Sequence, residues 1–318
     1  MPKSNYPGGF AHGVNIKGMP VLNTYPGGVF WVDVATGSDG YNGLSPERPL
    51  ATITKAISKC KANKGDIIIL MPNHYEDIGD TSTAGAIDLN VAGVSVVGLG
   101  NGSNMPRFDF NDADSDFLVS ADNVLIQNIN FEATVTGVKL GIAVSAAASG
   151  TTVSGCKFTV ETTTTDEFLI SINLLAGCDN TTVENCYFDN GLGGAATGVK
   201  LVGASADVQI LGNTIKGDYS LACVAGITTL STEVMIKDNI FMNGGSGNIG
   251  AVACVSMLTG TTGYVIANEV FCNVATVDVM MLADAMLFSR NYANEDVGEA
   301  ADSIVWGAAS SVTPMADG

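Results

Sequence analysis

The chain has 318 residues, 46% of them apolar and 14% charged, with a formal net charge of −18. That is ample material for a core, yet no run reaches the roughly 18 consecutive apolar residues of a membrane helix, and the acidity argues against nucleic acid or an anionic membrane as partner. The charge is uneven: residues 1–64 carry seven bases against three acids, a net of +4, which leaves −22 for the rest.

Residues 1–30 contain two Pro-Gly-Gly turns, Tyr6-Pro-Gly-Gly-Phe10 and Tyr25-Pro-Gly-Gly-Val-Phe30, with Lys3 and Lys17 and no acid. No periodic pattern lies between the turns, so the segment is expected to be an arm with little fold of its own. Its flanking aromatics, Tyr6, Phe10, Tyr25 and Phe30, either anchor in a partner or fold back onto the end of the body. The start also lacks the basic stretch followed by an apolar one that a secretory signal needs, so synthesis in the cytoplasm without export is expected.

Residues 31–80 read as a cap. Phe30–Val34 is a strand, Ala51–Cys60 places Ile53, Ala56, Ile57 and Cys60 on one face of an amphipathic helix, and Asp66–Met71 is a buried strand closed by Pro72. Residues 81–293 are organised by a repeat. Segments ending at Phe131, Phe158, Phe188, Ile215, Phe241 and Phe271 succeed one another at spacings of 27, 30, 27, 26 and 30 residues. Three residues before each end stands Asn128, Gly155, Asn185, Gly212, Asp238 or Asn268, types that tolerate a left-handed corner. The unit is thus strand, corner, short strand, and a further strand precedes each (Phe117–Val119, Ile142–Val144, Phe168–Ile172, Val199–Val202, Val252–Val255, Val277–Leu282).

Repeats of this length signal a solenoid whose units bury their apolar faces only by stacking. The units carry Gly, Thr, Asn and Val where a helical repeat would carry Ala, Leu, Glu and Lys, so the predicted fold is all-β, a right-handed parallel β-helix with an N-terminal capping helix. Beyond Asn291 the pattern fades, and residues 294–318, with Trp306, are assigned to a C-terminal cap or tail.

Val32-Asp33, the stretch Gly37–Ile57, Gly65–Leu70 and Pro72–Glu76 resemble the N-terminal cap of right-handed parallel β-helix proteins of the pectate-lyase-like superfamily. Met1–Phe10, Gly28–Trp31 and Asp88–Gly102 are similar to a family of tailed-bacteriophage virion proteins of that fold. The second resemblance implies a structural protein on the virion exterior, a capsid decoration or head appendage. It also implies a homotrimer and leaves host-surface glycan binding open. Attachment to capsid or other virion proteins is then expected through Lys3, Tyr6, Phe10, Lys17, Tyr25 and Phe30.

The alternative is a tailspike-type polysaccharide lyase or hydrolase on the same scaffold. A lyase needs a calcium cluster and a basic groove, whereas only seven bases follow residue 64. The run Asp109–Asp116 is read as a solvated turn rather than a calcium site. Motifs of the polygalacturonase kind are absent, and a two-carboxylate site could arise from stacked coils, for instance Glu161 with Glu184. His74 is expected to pack in the cap, and His12 lies in the arm. Seven cysteines without a Cys-x-x-Cys pair point to buried thiols, with Cys156 and Cys186 stacked at one repeat position, rather than to a disulfide or metal. The expectation is therefore a protein without depolymerase activity, cofactor or metal.

Overall fold

In a computed structural model, the described residues are 27–79, 87–244, 253–272 and 281–294, apart from 147, 192–193 and 284. The short strands Asn15–Ile16, Met19–Pro20 and Ser303–Ile304 are described as well. Three sheets of ten, ten and eight strands run the length of the body, and their in-coil neighbours pair in parallel from one coil to the next. One coil shows the plan: Val138–Val144 lies in the eight-stranded sheet, Thr152–Ser154 in the first ten-stranded sheet and Lys157–Val160 in the second. This is an all-β parallel β-helix. Nine steps at the ~4.8 Å strand spacing make its ten-stranded faces roughly 43 Å long.

Period-two alternation decides which side chains enter the core. Ile126, Val153, Val183, Ile210, Ile236 and Val265 form one buried row, each paired with the next. Phe108, Phe131, Phe158, Phe188, Ile215, Phe241 and Val270 form another. Within it, Phe131 stacks on Phe158 at 5.2 Å between centroids and Phe158 on Phe188 at 4.6 Å, nearly coplanar at 15° and 6°. The row extends one coil before the expected first repeat, because Arg107–Phe110 is a strand and not part of an acidic loop.

The corners between the two ten-stranded sheets are left-handed at Asn128, Gly155, Asn185, Gly212 and Asp238, with φ between 52° and 61°. The sixth is Ala267, not Asn268, and Val270 rather than Phe271 faces inward. Phe271 is outside, 38% exposed, so the last repeat is shifted by one residue from its expected register. Asn268 belongs instead to a buried row two residues before the inward position: Asn213, Asn239, Asn268 and Asn291. Each Nδ2 of the first three donates to the Oδ1 of the next at 2.9–3.0 Å. Each Asn also donates Nδ2 to a carbonyl of the preceding coil: Val183, Ile210, Ile236 and Val265 in turn.

Cys156 and Cys186 occupy the same row. They are buried as expected, but the thiols are more than apolar filler. Their Sγ atoms point at the carbonyls of Ile126 and Val153 at 3.7 and 3.6 Å, weak counterparts of the asparagine contacts. Burial, with Cys156 alongside, pushes the Cys186 thiol well up, which makes it unreactive. Cys60, Cys156, Cys178, Cys186 and Cys223 form no disulfide.

Residues 31–80 contribute more than a cover. Val29–Val32 and Ile67–Leu70 are the first two strands of one sheet, and Tyr75–Ile78 begins another. Phe30, one of the aromatics considered for attachment, is 8% exposed and lies in the core. The free edge of Val29–Val32 is occupied by a strap: Trp31 N donates to Gly43 O, Leu50 N to Trp31 O, and Asp33 N to Leu50 O. Such cover removes an edge that another chain could pair with.

The amphipathic segment forms a single short helix, Ile53–Ile57, with Ile53, Ala56 and Ile57 buried. Thr52 caps it by accepting from Lys55 N. Ser58 ends it, its hydroxyl turning back to Lys55 O. His74 is fully buried, and Val34 N donates to its Nδ1 at 3.0 Å. The proton therefore sits on Nε2, which donates to Glu76 Oε1 at 2.9 Å, and the same oxygen receives Ile53 N at the helix start. His74 thus packs as expected, as a structural link.

Candidate functional site

Among the described residues, the outward face of the second ten-stranded sheet carries a dense set of polar side chains with an evident geometry. Because every second residue points out, register alone creates two rows. One runs Tyr75, Arg107, Asn130, Lys157, Tyr187 and the other begins Asp77, Asp109, Glu132, Thr159. Three carboxylates from successive coils therefore stand side by side on strands about 4.8 Å apart.

Arg107 ties the rows together. Its Nη2 donates to Asp109 Oδ2 at 2.8 Å, and its Nη1 lies 2.9 Å from Glu132 Oε2. Nε approaches Asp109 Oδ1 to 2.6 Å without a hydrogen-bonding angle, so that buried oxygen has no hydrogen bond. Burial pushes the Asp109 carboxyl above the usual carboxylate range, and Glu132 and Asp77 add to this, while Arg107 opposes it. A desolvated carboxyl beside two others is the arrangement that separates an acid from a base in general acid–base chemistry. Tyr75 and Tyr187 are 51% and 38% exposed at the two ends of the adjoining row, about 19 Å apart by strand count. Beyond Tyr187 the face continues with Asp189, which accepts from the Tyr187 hydroxyl and from Lys216 Nζ, both at 3.1 Å.

Other candidates from the sequence fall elsewhere. Glu161 follows a strand of this sheet, whereas Glu184 lies in a strand of the other ten-stranded sheet, bonded to Ser154 Oγ, so the two are not brought together. Of the Asp109–Asp116 run, Asp109 is a strand residue, Asp112 accepts Asp114 N within a tight turn, and Asp114 pairs with Lys139. Among the described residues no group of three or more His, Cys, Asp or Glu has the geometry to hold a metal ion. Lys3, Tyr6, Phe10, Lys17, Tyr25, His12 and Trp306 lie outside the residues whose side chains are described. Sequence reasoning missed the Asp77–Asp109–Glu132 row. The signal was Arg107-Phe-Asp-Phe110, which alternates as Asn130-Phe-Glu-Ala133 does.

A family model described as "Protein of unknown function (DUF1565)" matches residues 35–294, most of the chain, and the chain belongs to that family. No curated protein matches. Among solved structures, pectate lyase Pel9A aligns with a TM-score of 0.56 and 17% identity over 86% of this chain and 72% of its own. A rhamnogalacturonan lyase aligns at 0.47 and 15% identity over 84% and 74%. The likeness to the pectate lyase places the chain in the pectate-lyase-like parallel β-helix fold.

Proposed function

We propose that this member of the DUF1565 family binds a polysaccharide along the outward face of its second sheet and hydrolyses it there, the reading that stood second on the sequence. The observation that carries it is the desolvated Asp109 carboxyl held beside Glu132 by a shared Arg107. A carboxyl that burial makes a weaker acid holds its proton to higher pH and can give it to a glycosidic oxygen, and a second carboxylate about 5–5.5 Å away can attack the anomeric carbon. Side chains paired on adjacent strands lie near that separation, and Asp109 is assigned the acid and Glu132 the nucleophile. Tyr75 and Tyr187 offer flat faces for sugar rings. Hydrolysis fits better than elimination, because the cation nearest these acids is engaged by two carboxylates and not free to take a proton.

The test is incubation of the whole protein with neutral and acidic polysaccharides. New reducing ends should appear without the ultraviolet absorbance of unsaturated uronates. Asp109→Asn should slow turnover by about 10²–10⁴-fold. Activity should fall as pH rises through the elevated Asp109 value, where the acid loses its proton. The absence of reducing ends across the panel, or an Asp109→Asn protein as active as the parent, would overturn the assignment.

A wider role is favoured by the resemblance of Met1–Phe10, Gly28–Trp31 and Asp88–Gly102 to tailed-phage virion proteins. In this second reading the protein is a homotrimeric appendage on the virion exterior, the glycan is that of the host surface, and residues 1–26 attach it. The helix Ile53–Ile57 would then shield the first coil beside the attachment point. Removal of residues 1–26 should leave the β-helix folded but abolish incorporation into particles. Normal occupancy of the truncated protein, seen by labelling in electron micrographs, would end that reading.

A further inference from the structure

The other ten-stranded sheet carries a cavity of about 420 Å³ near its C-terminal end, within the size range of small-ligand sites. Its floor is one outward row on four successive strands, Gln209, Met235, Tyr264 and Leu287. Its acidic wall is Asp207 and Glu233. These two stand at equivalent left-handed corners, φ 54° and 57°, where neighbouring coils place Asn123, Gly150 and Asn180. Both are exposed, and neither forms an ion pair with a described residue. Tyr264 and Leu287 are 44% and 55% exposed, an apolar floor left open to solvent.

We infer that this cavity is a binding site for an amino sugar of a polysaccharide, separate from the Asp109 row. Two carboxylates without an ion-pair partner among the described residues accept hydrogen bonds and donate none, so they favour a ligand bearing an ammonium group and hydroxyls and repel a uronate. A sugar ring laid on Tyr264, with Met235 and Leu287 beside it, buries its apolar face, and the ring quadrupole adds attraction for a cation. Gln209 supplies both a donor and an acceptor for ring hydroxyls. The choice of a sugar as the scaffold rests on the proposed glycan function, whereas the need for positive charge stands on the cavity alone.

Calorimetric titration of the whole protein with fully deacetylated glucosamine oligomers tests this. Three further arms are N-acetylated oligomers, galacturonate oligomers and spermidine. Glucosamine oligomers should bind with an affinity that falls as salt rises. The acetylated and uronate oligomers should bind at least about tenfold more weakly. Asp207→Asn with Glu233→Gln should cost a similar factor. Asparagine suits a left-handed corner and glutamine keeps the shape of the glutamate it replaces, so the fold should be kept. Tyr264→Ala should weaken the oligomers more than spermidine, which loses only the attraction of the ring for a cation. Asp109→Asn should leave this binding unchanged, which separates failure here from failure of the hydrolase assignment. The inference is overturned if glucosamine oligomers do not bind, if acetylated oligomers bind as well, or if the double variant binds like the parent. Spermidine binding as tightly as the oligomers, with Tyr264→Ala weakening both alike or neither, would overturn the sugar assignment.

Discussion

Replacing Asn239 with alanine tests the buried amide row most directly. The side chain makes four hydrogen bonds: Nδ2 to Ile210 O and to Asn268 Oδ1, and Oδ1 from Asn213 N and Asn213 Nδ2, all 2.8–3.0 Å. Alanine leaves Ile210 O and Asn213 N without these partners in a buried corner. Asn268 Oδ1 still receives Asn239 N, and Asn213 Nδ2 still reaches Val183 O. Stranding a buried polar group costs about 1–3 kcal/mol, and losing one of two bonds roughly 0.5–1.5 kcal/mol. The expected loss is therefore about 3–9 kcal/mol, reduced if water enters the space. On a total stability of about 5–15 kcal/mol this is large. Urea unfolding should show a lower midpoint at similar slope, and the Asn213 amide should exchange with deuterium much faster than in the parent. A loss below about 1 kcal/mol with unchanged exchange at Asn213 would refute the idea that the row is a main support of these turns.

Phe188→Asp should unfold the middle of the body, since a charge set between Phe158 and Ile215 costs several kcal/mol unless it protonates, and a melting temperature equal to the parent's would refute the inward placement. Thr151 and Thr181 stand beside Val124 and Val208 in a buried row with hydroxyls that lack partners. Thr181→Val, nearly the same shape, should therefore stabilise by about 1 kcal/mol in thermal melts. Glu167 is 4% exposed with Oε2 unpaired, and burial, reinforced by Asp166, outweighs a backbone hydrogen bond from Gly137 and raises its carboxyl. Its folded value lies above its unfolded one, so the penalty is absent below the ordinary ~4.3 and complete above the raised value. Glu167→Gln should accordingly melt higher than the parent at neutral pH, and the gap should close as pH falls towards ~4.3.

The repeat was legible because stacking imposes one residue type per row: an inward phenylalanine has another above it, and a left-handed corner selects Asn or Gly. Register slipped where that code lapsed. Ala267 takes a corner that asparagine holds elsewhere, and the nearby Asn268 serves the buried row instead. The carboxylate row was hidden for another reason. Asp77, Asp109 and Glu132 become neighbours only through coils of unequal length, and an acid-rich stretch looks like a solvated turn until the two phenylalanines around Asp109 are seen to face the core. The cavity over Tyr264 has no local signature, because its floor is drawn from four coils.

The change from thiol to amide along the corner row gives the body a direction of growth. Each asparagine oxygen serves the amide of the coil before it, and the first amide served is that of Cys186. A sulfur at that place offers only a weak acceptor to the coil behind, so the row has a fixed beginning. Duplicating a coil that carries Asn239 or Asn268 inserts a rung whose chemistry matches both neighbours, whereas the same coil set between Cys156 and Cys186 would meet thiols on either side. Descendants of this chain should thus lengthen by gaining coils after Asn213, leaving the carboxylate row near the strapped end at its original place.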